Sequence, residues 1–116
     1  MRSMIRLVLI STIVFGSSHS SALLAADKAK APAQLDGKAL YAAKMCQTCH
    51  GPTGNTPTAP MYPKIAGQSV VYIETQLKDI KAGKRNNGMT AAMKPFMMNV
   101  SDEEISAIAK FLSESK

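Results

Sequence analysis

Cys46-Gln47-Thr48-Cys49-His50 is the stretch on which the reading of this chain turns. Its C-x-x-C-H form is that of a c-type haem attachment site. Two thiols three positions apart can add to the two vinyl groups of one haem as thioethers. The histidine directly after the second thiol is then held under the iron as its proximal ligand. Rival chemistries fail on counting. A structural zinc site needs four ligands, usually from two such pairs, and the chain has two cysteines and two histidines in all. A thioredoxin-like redox pair belongs beside a β-α-β pattern, and no alternating strand pattern flanks this site. A disulfide closing so small a loop adds little by loop entropy.

The N-terminus reads as an export signal over residues 1–26. Arg2 and Arg6 give it a positive start, Leu7 to Phe15 is a short apolar run, and small residues follow from Ser17 to Ala26. The run is too short to cross a bilayer as a helix. Cleavage is expected within 22–26, which removes His19 and leaves no stable membrane insertion. Export to the periplasm suits an attached haem, because maturation outside the cytoplasmic membrane consumes both thiols. About 90 residues then remain, one small domain whose thin core needs a staple. The chain has no tryptophan, and a covalent haem offers helices a flat apolar surface. The formal charge of the whole chain is +6; without Arg2 and Arg6, twelve Lys and Arg face eight Asp and Glu, giving +4. That surplus suits acidic docking surfaces. With no basic run interleaved with aromatics, it does not suit nucleic acid.

Residues 27–35 are alanine-rich, polar and broken by Pro32, and read as a flexible lead-in to a domain over 36–116. A first helix is expected from about Asp36 to Cys46, with Asp36 as cap and Leu40, Ala43 and Ala39 as its apolar face. Four prolines and two glycines between Gly51 and Pro63 exclude regular structure there. A second helix is expected from Ser69 to Ala82, with Ile73, Gln76, Leu77 and Ile80 at helical spacing and Gly83 as its stop. Gly83 to Val100 is expected as a loop. Ser101-Asp102-Glu103-Glu104 is a capping box that opens a last helix, Val100 can staple onto Ile105, and Ile105, Ile108, Phe111 and Leu112 form its stripe. The fold class is therefore all-α: three main helices and irregular loops around one haem.

The sixth position on the iron separates electron carriers from proteins that bind gases or substrates. No second histidine survives in the mature chain, which leaves methionine, a thioether that suits iron and raises its potential. Met89, Met93, Met97 and Met98 all precede the last helix. Met45 is too close to the first thiol to reach across a haem, and Met61 lies in the proximal loop. The residues alone leave this choice open.

The chain resembles the class I cytochromes c, and within them the small bacterial periplasmic group of one-haem carriers and tandem two-haem relatives. The resemblance runs from about Gly37 to Leu112. It rests on C-Q-T-C-H-G at 46–51, P-K-I-A-G-Q at 63–68, Y-I-E-T-Q-L at 72–77, K-A-G-K-R at 81–85 and M-K-P-F-M-M-N-V-S-D-E-E-I at 93–105. It implies the cytochrome c fold with Cys46 and Cys49 as haem thioethers and His50 as one axial ligand. In that family the distal methionine commonly lies eight residues before the serine that caps the last helix, which implies Met93, with Met89 and Met97 as alternatives. A second methionine is common three residues further on, where this chain has Phe96. The resemblance also implies that the Pro63 carbonyl accepts from the proximal histidine's other ring nitrogen.

The function expected is one-electron transfer in the periplasm by a covalent haem c with His/Met ligation. It needs no catalytic residue and acts with redox partner proteins. A ring of Lys38, Lys44, Lys64, Lys78, Lys81, Lys84 and Arg85 is a candidate docking surface. The alternatives are a haem c subunit of a larger periplasmic oxidoreductase, and a haem enzyme or sensor with a displaceable sixth ligand.

Overall fold

The computed structural model describes residues 34–116. The export signal, His19 and nearly all of the lead-in lie outside the described residues. Among the described residues five helices follow in order: α1 Gly37–Ala43, α2 Gln47–His50, α3 Val70–Ala82, α4 Thr90–Met97 and α5 Asp102–Glu114. No strand occurs among the described residues, as the all-α expectation requires.

The last helix forms as its sequence dictates. The Ser101 side chain accepts from the Glu104 amide at 3.2 Å, and the Glu104 carboxylate accepts from the Ser101 amide at 2.9 Å. This reciprocal pair satisfies two amides that a helix start leaves without partners. Val100 and Ile105, the two ends of the expected staple, are both buried. Ile105, Ile108, Ala109 and Leu112 then face the core, with Phe111 at its margin. α5 packs across both α1 and α3.

At the crossing of α1 and α5 the backbones nearly touch. A Cβ built on Gly37 would lie 2.0 Å from the Ala107 carbonyl oxygen. One turn on, the Tyr41 ring meets Phe111 with centroids 5.4 Å apart. The buried face of α1 is therefore Gly37, Leu40 and Tyr41, while the expected Ala39 and Ala43 are exposed. The close approach decides this, because only the glycine face admits α5.

Two further expectations are corrected. The first helix does not run through to Cys46. It stops at Ala43, Met45 turns to φ +63°, and the attachment residues restart as the short α2. The segment from 83 to 100 is not all loop, since α4 occupies 90–97 with Pro95 inside it. Thr90 and Met97 are buried and Met93 packs against the core. Packing thus holds a helix that a proline, lacking an amide donor, weakens. α3 matches its expected span. Ser69 caps its start, and Gly83 ends it in the left-handed region at φ +76°.

Candidate haem site

The attachment segment is held from three directions. Tyr41 is buried, and its hydroxyl donates to the Gly51 carbonyl at 2.8 Å. Thr58 donates from its amide to the Cys49 carbonyl at 3.0 Å and from its hydroxyl to the Thr48 carbonyl at 2.9 Å. His50 Nδ1 lies 2.9 Å from the Pro63 carbonyl oxygen. A carbonyl can only accept, so Nδ1 carries a proton, and in the neutral imidazole the lone pair lies on Nε2. Among the described residues Nε2 makes no hydrogen bond, and the His50 side chain borders open space.

The space is an open cleft of about 240 Å³ that His50 lines together with Met93. Its long wall is the face of α3 formed by Ile73, Gln76, Leu77 and Ile80, and Pro63, Ile65 and Leu112 close it further. The α3 residues expected as a core stripe thus serve two surfaces: Ile73 and Ile80 belong to the core and also wall the cleft.

The candidate methionines separate by position. Met93 is on the cleft. Met97 is in the core at 5% exposure, and Met89 and Met98 face outward at 56% and 59%. The cysteines are not joined to each other. Burial pushes the Cys46 thiol up to about 11, and the neighbouring Cys49 adds to the effect. Burial also pushes the Tyr41 hydroxyl well above its ordinary value, with smaller contributions from Cys46 and Cys49. The Tyr62 hydroxyl is raised first by its hydrogen bond to Cys49. The thiol contributions to these shifts belong to free cysteines.

The donor set fits a c-type haem. Two free thiols precede in sequence an imidazole with one oriented nitrogen, and that imidazole shares its cleft with a methionine thioether, although neither cysteine lines the cleft itself. Among the described residues no three His, Cys, Asp or Glu side chains gather to hold a bare metal ion.

The cleft also has polar residues, of which Gln68 and Tyr72 were not among the expected site residues. Arg85 and Gln76 both line it, and the Arg85 guanidinium donates to Gln76 Oε1 at 2.9 Å. Lys64, Gln68 and Tyr72 line it too. The signal available was helical spacing, because 72, 73, 76, 77 and 80 share a face of α3. Lys64 and Arg85 are at the cleft, whereas Lys38 lies on a different groove with Lys110 and Phe111. Lys44 and Lys81 are engaged within the molecule.

Residues 34–116 match the family described as Cytochrome c. The chain belongs to that family. It is 39% identical over 71 residues to cytochrome c-554(548) of Halomonas halodenitrificans, covering 61% of this chain and 84% of the relative. It is 34% identical over 109 residues to a cytochrome c4 of Pseudomonas aeruginosa, covering 94% of this chain and 46% of the relative. Among solved structures, reduced recombinant cytochrome c4 from Pseudomonas stutzeri is similar with a TM-score of 0.54 and 36% identity, over 69% of this chain and 44% of that one. The chain thus spans under half the length of these cytochromes c4. Membership of the cytochrome c family makes a covalent c-type haem with its iron the resident cofactor. Among the described residues no helix of this cytochrome is long and apolar enough to cross a membrane.

Proposed function

We propose that this cytochrome is a one-electron carrier of the periplasm. It holds one haem c through Cys46 and Cys49, with His50 and Met93 as axial ligands. The observation that carries the reading is that one cleft is lined by both His50, tied at Nδ1 to Pro63, and Met93. Haem c, when bound, supplies the ferrous/ferric couple. The rest is the work of this chain. The Pro63 carbonyl fixes the imidazole's orientation and makes Nε2 a stronger donor. The Met93 thioether, as the second ligand, would favour the reduced state and raise the potential. The apolar wall of Ile73, Leu77 and Ile80 would pack against the bound haem and limit water at its iron. Lys64 and Arg85, cationic at the cleft, oppose added positive charge and attract acidic partners.

The test is the optical spectrum of holoprotein made with the haem-attachment machinery. Haem should stay with the protein through acid–acetone extraction. The ferric form should carry the weak red charge-transfer band of low-spin His/Met haem, and Met93→Ala should abolish that band. Extractable haem would refute attachment at Cys46 and Cys49. A band that survives Met93→Ala but is lost in Met89→Ala or Met97→Ala would move the ligand.

A further inference from the structure

The turn that joins α4 to α5 is tied down from two sides by lysines. Lys44, at the C-terminal end of α1 and two residues before Cys46, reaches across the molecule. Its Nζ donates to the Asn99 carbonyl at 2.6 Å and pairs with Glu104 Oε2 at 2.9 Å. The same Glu104 oxygen accepts from the Ser101 amide. Lys81, in the last turn of α3, donates from Nζ to the Val100 carbonyl at 2.6 Å. Its contact with Asp102 is longer, at 3.5 Å, and Asp102 is mostly exposed, so the carbonyl is the main partner.

These ties fall where α4 needs them. α4 has eight residues, and Pro95 removes one of its few internal hydrogen bonds. It packs mainly on α3. A helix this short has little stability of its own, so its position is set from outside. Met97 and Val100 are buried at its end, and Met93 sits one turn earlier on the same side. The backbone between Met97 and Ser101 is therefore the handle by which α4, and Met93 with it, is held. Lys44 fastens that handle to the segment bearing the thiols, and Lys81 fastens it to the helix that walls the cleft.

We propose that Lys44 and Lys81 are positioning residues for Met93, clamping the 98–100 turn so that the thioether stays on the iron. This rests on the assignment of Met93 as axial ligand made above. Without the clamp, α4 would spend more time displaced and an exogenous ligand would find the sixth position open. Its apparent affinity rises in proportion to the open fraction.

The experiment titrates ferric holoprotein with imidazole and follows loss of the red charge-transfer band, with urea midpoints measured in parallel. The Lys44→Gln/Lys81→Gln double variant should bind imidazole about tenfold more tightly. Each single variant should show a smaller gain, which covers a double variant that fails to fold. Lys44→Arg/Lys81→Arg, which keeps a cationic donor at each position, should restore most of the wild-type affinity. Lys110→Gln, at an exposed lysine on the other groove with no side-chain bond among the described residues, should change nothing. Unchanged imidazole affinity in the glutamine variants, whatever their urea midpoints, would overturn the clamp and leave those lysines with a role in stability alone. A band that survives Met93→Ala would instead remove the premise, so the two failures are told apart.

Discussion

Gly37→Ala adds one methyl group where α1 and α5 have no room for it. The new Cβ would lie 2.0 Å from the Ala107 carbonyl oxygen, 2.7 Å from its carbonyl carbon and 2.9 Å from the Phe111 Cβ. Two of these atoms are backbone, so no rotamer change relieves the clash. Ordinary contact begins near 3.4 Å, so the helices must part by about 1.4 Å at this point. The same displacement loosens Tyr41 against Phe111 and strains the Tyr41 hydroxyl bond to Gly51. Overpacking of this kind costs about 1–3 kcal/mol. Alanine's better helix propensity returns at most about 1 kcal/mol, and less at a first helical position. The net expected loss is about 1–2 kcal/mol, read as a lower urea midpoint of the holoprotein at unchanged slope. Gly37→Val should lose more, since its branched side chain meets the same backbone. A Gly37→Ala protein at least as stable as wild type would refute the claim that α1 and α5 are in backbone contact there.

Two further outcomes follow from the charges. The Glu104 carboxyl is held below its ordinary range, first by the Ser101 amide and then by Lys44. A depressed carboxylate contributes stability that is complete above its unfolded pKa, near 4.3, and is lost as pH falls through its lower folded value. Glu104→Gln should therefore lower stability at neutral pH and flatten the acid limb of a urea-midpoint profile; a difference from wild type that persists unchanged to the lowest pH would contradict the assignment. Electron exchange with an acidic partner should slow as salt rises, because exposed charges are screened over roughly 10 Å at 0.1 M ionic strength. In stopped-flow measurements Lys64→Glu, at the cleft, should weaken that dependence more than Lys38→Glu on the far groove; equal effects would argue that docking does not centre on the cleft.

What could be read from sequence tracks how local the cause is. The start of α5 is written within four residues, Ser101 to Glu104, and the end of α3 in one, Gly83. The attachment motif is likewise local. α4 was hidden because its punctuation, an Asn-Gly pair before it and Pro95 inside it, signals loop, while the packing that overrides those signals comes from distant elements. Met89, Met93 and Met97 do recur every four residues, a helical spacing that a cluster of possible ligands obscures. The face of α1 was misassigned for a similar reason. Small alanines look apolar in a list, but the glycine that lets α5 approach decides which side is covered. Lys44 and Lys81 looked like free surface charge, since the carbonyls they bind are 55 and 19 residues away.

The α3 face is shared between fold and site. Ile73 and Ile80 are already covered by α5 and its neighbours, yet they border the cleft together with the half-buried Leu77. The group that fills the cleft rests on a wall the core already owns, so a substitution in that wall cannot tune the occupant without also retuning the fold.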